Sequence, residues 1–195
     1  MIGSHNSFTF KKSTHKLYNA FKCFWRCQEK TVQEQYNAGT RFFDIRVYRK
    51  SNHTWGLAHG RVNLFGGFGT VEAILYYMAG QFPDAHFRLI LEKGSDNDAE
   101  EFKDQVAAAV TTWDCHTKLY EAIIKSGWII VYHNQAKEFI IKDYCYTPIL
   151  SGESFWYNLT HFKFATIKGH ARKHNPALTE EMINDPVTVH FMDFV

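Results

Sequence analysis

The chain has 195 residues, of which 45% are hydrophobic and 22% are charged, and its formal net charge is +2. This length and composition exclude a disordered chain and a pair of full-sized domains, and they predict one domain over residues 1–195 with its own hydrophobic core. A net charge this small, without a basic stripe, argues against nucleic acid as a partner. No apolar run reaches the length of a membrane span.

The four cysteines predict free thiols rather than a disulfide framework. Cys23 and Cys27 are four residues apart, on one face of a predicted helix, and Cys115 and Cys145 add no zinc-type spacing. The N-terminal residues show no signal-peptide pattern. The protein is therefore expected either in the cytoplasm or as a secreted form that lacks its leader.

Segments typical of strands and of helices alternate along the chain. Strands are predicted at residues 41–48, 55–58, 87–91, 128–132 and 187–191, and helices at 70–80 and 98–112. The Gly-rich segment 63–69 is expected to be a loop, in which Phe65 and Phe68 either dip into a lipid surface or pack inward. Long loops are expected within 137–184. The alternation predicts β/α units with a parallel sheet or barrel.

Ionisable side chains recur in and near the predicted strands. Asp44 and Arg46 share one face of the strand at 41–48, while the apolar residues beside them lie on the other face. Taken alone, that pair is either a structural ion pair or part of a site. Four more ionisable side chains stand at or just beyond strand ends: His5, His59, Glu92 and Asp193. Because the carboxyl ends of barrel strands carry active sites, this recurrence favours a site.

The chain contains three short motifs in a fixed order: GSHNS at 3–7, QYNAGTRFFDIR at 35–46, and AHG at 58–60. Together they resemble the catalytic X region of phosphatidylinositol-specific phospholipases C, and Asp193 is similar to an aspartate near the last strand of the bacterial members. The resemblance is dense from residue 3 to about residue 95 and returns at the C-terminus. It implies an α/β fold of the TIM-type β/α barrel.

The length of the chain bears on how complete that barrel is. A full β/α barrel usually takes about 250 residues, so we expect a small barrel that is incomplete or distorted. The first strand would normally precede the GSHNS motif, yet only Met1 and Ile2 stand there. We therefore expect the barrel to be trimmed, or a strand to be missing or supplied from elsewhere.

The resemblance implies a phospholipase C that cleaves a phosphodiester with two histidines. His5 would be the general base that removes the proton of the inositol 2-hydroxyl, and His59 the general acid that protonates the departing diacylglycerol oxygen. Asp193 would orient His5, and Asp44 would support His59 or the leaving group. Arg46 would stabilise the phosphoryl oxygens. The enzyme would be a phosphoric diester hydrolase or lyase of lipid metabolism, with diacylglycerol and a cyclic inositol phosphate as products.

Substrate binding is assigned to Arg46 and to three further residues: Asn6, Glu92 and Lys93. The expected partner is a phospholipid or inositol phosphate, reached by peripheral membrane contact.

Calcium-dependent members of the family hold the ion with an Asn after the first His and with carboxylates, whereas bacterial members place an Arg at the position of one of those carboxylates. Arg46 therefore favours a site without a metal or other cofactor, and if calcium is used its ligands are Asn6, Asp44 and Glu92.

Two other hypotheses stay open. A metal-dependent glycerophosphodiester or sphingolipid phosphodiesterase would have a carboxylate-rich site, against which Arg46 argues. A catalytically inactive module that binds lipid phosphates would suit the short chain, although the intact pair of His5 and His59 argues against it. His170 and His174 are four residues apart and predict an exposed helical pair rather than a zinc site.

Overall fold

A computed structural model describes residues 1–112, 119–125, 128–133, 140–145 and 167–195. These residues contain nine strands of one sheet: β1 (Ile2–Ser4), β2 (Thr40–Arg49), β3 (Trp55–His59), β4 (Val62–Phe68), β5 (His86–Lys93), β6 (Leu119–Lys125), β7 (Trp128–His133), β8 (Ile140–Asp143) and β9 (Thr188–Met192). They also contain six α-helices: α1 (Lys16–Ala20), α2 (Val32–Asn37), α3 (Val71–Gln81), α4 (Asp96–Thr112), α5 (Ile167–His174) and α6 (Glu180–Asn184). A 3-10 turn covers Lys22–Phe24.

The sheet is curled and mixed. Its strand order is β6-β7-β5-β2-β1-β9-β8, and β3 and β4 extend from β2 as an antiparallel meander. The strands β5, β2, β1, β9 and β8 are parallel, whereas the β6/β7 pair joins β5 antiparallel. The prediction of a parallel sheet is therefore correct for these five strands and wrong for β6 and β7 and for the β3/β4 meander. The architecture is a small, incomplete β/α barrel.

The main core lies between the sheet and the helices α3 and α4. Phe43, Ile45 and Val47 of β2 are fully buried in it, which confirms the predicted alternation of faces along this strand. The buried residues of α3 recur at helical spacing, and the Thr70 side chain caps its first turn by accepting from the Ala73 N–H. Each large side chain buried here stabilises the fold by about 1.5–3 kcal/mol. The opposite face of β2 is left for Asp44 and Arg46.

The first strand is present, so a missing first strand, one of the expected alternatives, was wrong. Ile2–Ser4 lies between β2 and β9 and runs parallel to both. Gly3 allows this close packing, because a Cβ atom at this position would lie 2.7 Å from Cγ1 of Val189. His5 and Asp193, which directly follow β1 and β9, are thereby brought side by side.

Other differences from the predictions arise where tertiary pairing decides the local structure. The Gly-rich segment is mostly strand β4, in which Phe65 is exposed while Phe68 packs against the Phe8 ring. Cys23 and Cys27 do not share a helix face, because a 3-10 turn replaces the predicted helix. The described parts of 137–184 hold β8, α5 and α6 rather than loops alone.

Three cysteines are confirmed as free thiols: Cys23, Cys27 and Cys145. Cys115 lies outside the described residues. The helix predicted around His170 and His174 is α5, although the side chain of His170 is not among those described. Within the described ranges, no helix combines the length and the apolar character needed to cross a membrane.

Candidate active site

The inner face of the sheet gathers the predicted catalytic side chains. His5 follows β1, Asp44 and Arg46 lie in β2, His59 ends β3, and Asp193 follows β9. The sequence predicted His59 at the carboxyl end of a strand in a parallel sheet. His59 does end β3, but β3 runs antiparallel to β2. His59 enters the site from the opposite direction to His5. The ring centroids of the two histidines are 5.9 Å apart, which is close enough for both to contact one phosphate group.

His5 is held at both ring nitrogens. Nδ1 lies 2.8 Å from Oδ1 of Asp193, and Nε2 lies 2.8 Å from Nη2 of Arg46. A guanidinium can only donate, so Nε2 accepts and the ring proton is on Nδ1, from which it is donated to Asp193. His5 is therefore a neutral imidazole, and the lone pair on its Nε2 accepts a hydrogen bond from Arg46. This is the tautomer that a general base needs.

The turn that carries His5 is fixed by its neighbours. The His5 N–H donates to the Met192 carbonyl at 3.1 Å, and Nε2 of Gln28 donates to the carbonyls of both His5 and Met192. The Ser7 N–H donates to the Asp44 carbonyl at 2.8 Å. The turn after β1 is thus bonded to β9 on one side and to β2 on the other. Gln28 was not predicted, because its role is to bond backbone groups that are distant in sequence.

Asp44 is fully buried between two arginines. Its Oδ2 accepts from Nε of Arg46 at 3.0 Å, and its Oδ1 accepts from Nε of Arg88 at 3.0 Å. Burial alone would raise the pKa of Asp44, but Arg46 and Arg88 hold it well below its usual range. Asp44 is therefore a carboxylate. Arg88 was not predicted as a site residue, although a single charge in the apolar strand 87–91 was a signal for it.

Arg46 connects three elements of the site. Besides Asp44 and His5, its guanidinium contacts Glu92, with Nη1 at 3.2 Å from Oε2. Burial opposes its charge, but the carboxylates of Asp44 and Glu92 raise the pKa of Arg46 further above its ordinary value. Oε1 of Glu92 also accepts from the Gly60 N–H at 2.5 Å. Glu92 thereby anchors both the arginine and the turn that follows His59.

The residues proposed as calcium ligands do not fit that ion. Both carboxylates of the set, Asp44 and Glu92, contact the Arg46 guanidinium. A permanent cation between them repels a divalent ion and occupies the oxygen atoms that it would need. Lys93, predicted to bind substrate, lies away from this cluster: its ammonium donates to the Asn63 side chain and stands 4.9 Å from the Tyr48 ring centroid.

His59 is half-buried, and its hydrogen-bond partner is a backbone group. Nδ1 lies 2.5 Å from the carbonyl oxygen of Trp25 and 3.8 Å from Sγ of Cys27. The carbonyl can only accept, so Nδ1 carries a proton and Nε2 faces away from it. Burial, reinforced by the positive charge of Arg46, lowers the pKa of His59 to about 4. Trp25 and Cys27 were not predicted, because the sequence does not show which carbonyl a histidine reaches.

Asn6, which is bonded to Asp44 through its backbone, has an unused hydrogen-bond donor in its side chain. Its side chain is 1% exposed, and Nδ2 has no partner among the residues that the structure describes. Its backbone is left-handed, with φ of 47°, and its N–H donates to Oδ2 of Asp44 at 3.2 Å. A buried amide donor without a partner costs about 1–3 kcal/mol, which a ligand oxygen would offset.

The fold and the site together define an incomplete β/α barrel with two facing histidines and an arginine held by carboxylates. No protein-family model matches the sequence, and no curated protein matches it either. Solved structures do match.

One match is the phosphatidylinositol-specific phospholipase C from Listeria monocytogenes, with a TM-score of 0.60 and 14% identity, over 100% of this chain and 87% of that one. A double mutant of the phosphatidylinositol-specific phospholipase C from S. aureus matches with a TM-score of 0.57 and 15% identity, over 100% of this chain and 84% of that one. A third structure, concerned with membrane binding by the S. aureus enzyme, matches with a TM-score of 0.51 and 14% identity, over 100% of this chain and 85% of that one. The chain therefore has the fold of the bacterial phosphatidylinositol-specific phospholipases C.

Proposed function

We propose that this protein is a metal-independent phospholipase C that cleaves the phosphodiester of an inositol phospholipid. The observation that carries the proposal is the continuous chain of contacts from Asp193 through His5 and Arg46 to Asp44, with His59 facing it across the site. The shared fold with bacterial phosphatidylinositol-specific phospholipases C supports the choice of substrate.

The first step needs a base, and His5 has the protonation state for it. Nε2 takes the proton of the inositol 2-hydroxyl as that oxygen attacks phosphorus, and the resulting imidazolium is stabilised by Asp193 through Nδ1. In the free protein the lone pair of Nε2 accepts from Arg46. Substrate binding exchanges this contact, because the guanidinium then donates to the phosphoryl oxygens.

Charge on the pentacoordinate phosphorus is stabilised by groups already in place. Arg46 is fixed by Asp44 and Glu92, so little reorganisation is needed when negative charge develops. The free Nδ2 of Asn6 adds a second donor to a phosphoryl or leaving oxygen. Arg88 keeps Asp44 ionised and in position rather than contacting the substrate itself.

The second step needs an acid, and the bound substrate makes His59 that acid by raising the pKa of its imidazole. His59 is neutral near pH 7 in the free protein because its pKa is lowered to about 4. A phosphodiester anion about 4 Å away favours the charged imidazolium by about 4 kcal/mol at an effective dielectric of about 20, which corresponds to about 3 pKa units. Once protonated, Nε2 of His59 donates its proton to the departing glycerol oxygen, while the Trp25 carbonyl holds Nδ1.

The test is product analysis with phosphatidylinositol in mixed micelles, with EDTA in one arm and added calcium in the other. We expect diacylglycerol and cyclic inositol phosphate in both arms, and loss of both products in His5→Ala. Activity that appears only with calcium would support the metal-dependent alternative. Equal, background-level turnover by the wild type and His5→Ala would support a binding module without catalysis.

A further inference from the structure

A third chemically active side chain reaches the pair formed by His5 and Asp193. Cys145 follows β8, on the far side of β9 from β1. One ligand atom from each of His5, Cys145 and Asp193 lies within 4.8 Å of the other two. His5 and Asp193 are buried, whereas Cys145 is half-buried and leaves the cluster open towards solvent.

The backbone that presents Cys145 is well fixed. Its N–H donates to Oδ1 of Asp143 at 2.8 Å, and the N–H of Tyr144 donates to the Phe191 carbonyl at 3.0 Å. These bonds attach the end of β8 to β9 at the level of Asp193. The thiol is therefore held next to the dyad by the sheet itself.

We propose that His5, Asp193 and Cys145 form a zinc site that inhibits the enzyme. Imidazole, carboxylate and thiolate are the donors that zinc takes in proteins, at about 2.0–2.3 Å, and three protein ligands leave a fourth position for water. Tetrahedral coordination at these lengths places ligand atoms about 3.3–3.8 Å apart. Nδ1 of His5 and Oδ1 of Asp193, at 2.8 Å, need to separate slightly, and Sγ of Cys145, within 4.8 Å of the other two ligand atoms, needs to lie in the same range.

The choice of metal follows from the donors and from the charges around them. A thiol favours zinc over calcium or magnesium, which take oxygen ligands. Arg46 occupies the Nε2 side of His5 and repels cations there, so the metal enters on the Nδ1 side. This zinc site is thus separate from the set Asn6, Asp44 and Glu92.

Zinc at this site would inhibit the enzyme because it changes which nitrogen of His5 carries the ring proton. Zinc binding releases the Cys145 thiol proton to solvent, and the proton of Nδ1 moves through solvent to Nε2, which frees the Nδ1 lone pair for the metal. The neutral imidazole then carries its hydrogen on Nε2, the atom that acts as the base, and Arg46 moves away from Nε2, because two donors cannot face each other at 2.8 Å. His5 can no longer accept the substrate proton, and Asp193 is engaged by the metal. This inhibitory effect rests on the function proposed above, whereas the binding site does not.

Cobalt titration tests the binding site without using activity. We expect Co²⁺ added to the reduced, EDTA-treated protein to give a thiolate-to-cobalt charge-transfer band and tetrahedral d–d bands, which one equivalent of Zn²⁺ abolishes. Cys145→Ser should lose the charge-transfer band, whereas Cys23→Ser, which removes an exposed thiol outside the cluster, should keep it. Absence of the band from the wild type, or its retention in Cys145→Ser, would overturn the proposal.

Inhibition is measured separately on phosphatidylinositol in mixed micelles. We expect Zn²⁺ to reduce turnover of the wild type and Cys23→Ser at least tenfold, with recovery in EDTA, while Cys145→Ser keeps its metal-free rate. Equal inhibition of all three proteins would refute the inhibitory role. A cobalt band in a protein without turnover in EDTA would leave the metal site standing and refute the proposed function instead.

Discussion

At the scale of single residues, His59 couples the site to the stability of the fold. Its pKa in the folded protein is about 4, against an ordinary value of 6.5. Below pH 6.5 His59 binds a proton in the unfolded chain but stays neutral in the folded protein until the pH approaches 4. The contribution of His59 to stability is therefore complete above pH 6.5 and is lost as the pH falls towards 4.

We expect the wild type to lose about 2 kcal/mol more of its free energy of unfolding than His59→Gln between about pH 7 and about pH 5. Gln retains an amide that can donate to the Trp25 carbonyl but does not titrate. Urea denaturation of both proteins at the two pH values measures the difference. Parallel losses in the two proteins would show that His59 is not kept neutral by its surroundings.

Asp193 is the residue at which a change of one atom tests the proposed chemistry. In Asp193→Asn, the amide group can turn its N–H towards Nδ1 of His5, which reverses the tautomer and places the hydrogen on Nε2. We expect kcat to fall by about 10³–10⁴-fold, the size of the effect in a triad whose histidine is held in the wrong tautomer. The exposed Asp104→Asn is the matched control. Steady-state kinetics in EDTA measure both variants, and a fall of less than tenfold would contradict the role of Asp193.

The residues of the site were predictable to different degrees. Asp44, Arg46 and Asp193 could be found because each lies in or next to a strand with a clear apolar pattern, whereas His5 was found through the motif GSHNS. Arg88 could not be assigned, since its contact with Asp44 depends on the register between β2 and β5. The carbonyl of Trp25 could not be found either, because a backbone acceptor carries no signature in the side-chain sequence.

At the scale of elements, local periodicity separates what was predictable from what was not. The alternation in β2 and the helical spacing in α3 are local patterns, and both elements formed as predicted. The strands β1, β4 and β8 are short, Gly-rich or exposed, and they exist because neighbouring strands pair with them. The antiparallel course of β3 was missed for the same reason.

The packing of β1 against β9 can be tested at Gly3. A methyl group at this position meets Val189, which is fully buried, so we expect Gly3→Ala to lower the free energy of unfolding by about 1–3 kcal/mol. Gly80→Ala in α3 is the control: nothing lies within 4 Å of its Cβ position, and we expect it to stabilise by about 0.5–1 kcal/mol.

A double-mutant cycle identifies the cause of the loss at Gly3. Val189→Ala removes the atom that the new methyl group meets, so we expect the double variant to be more stable than the sum of the two single effects predicts. Chemical denaturation gives all four free energies. Simple additivity would show that the loss does not come from the contact with Val189, which leaves the Phe191 ring, 3.1 Å from the same Cβ position, or backbone effects as its cause.

At the scale of the whole molecule, an apolar surface lies next to the site along the chain. Leu17, Phe21 and Phe24 are 58%, 52% and 41% exposed; Leu17 lies in α1, Phe24 in the 3-10 turn, and Phe21 between the two. The next residue is Trp25, whose carbonyl holds His59. Under the function proposed above, this segment would enter the bilayer surface beside the point where the headgroup is cleaved.

The double variant Phe21→Ala/Phe24→Ala separates membrane contact from chemistry. Each Phe that leaves water contributes about 1.5–3 kcal/mol, so partial insertion of the pair predicts at least tenfold weaker binding to vesicles of phosphatidylinositol and phosphatidylcholine. Turnover of those vesicles should fall in proportion, while turnover of a short-chain, monomeric phosphatidylinositol stays unchanged. Ile183→Ala is the control, because this exposed residue lies in α6. Equal losses on vesicles and on the monomeric substrate would show that the two aromatics support His59 rather than bind the membrane.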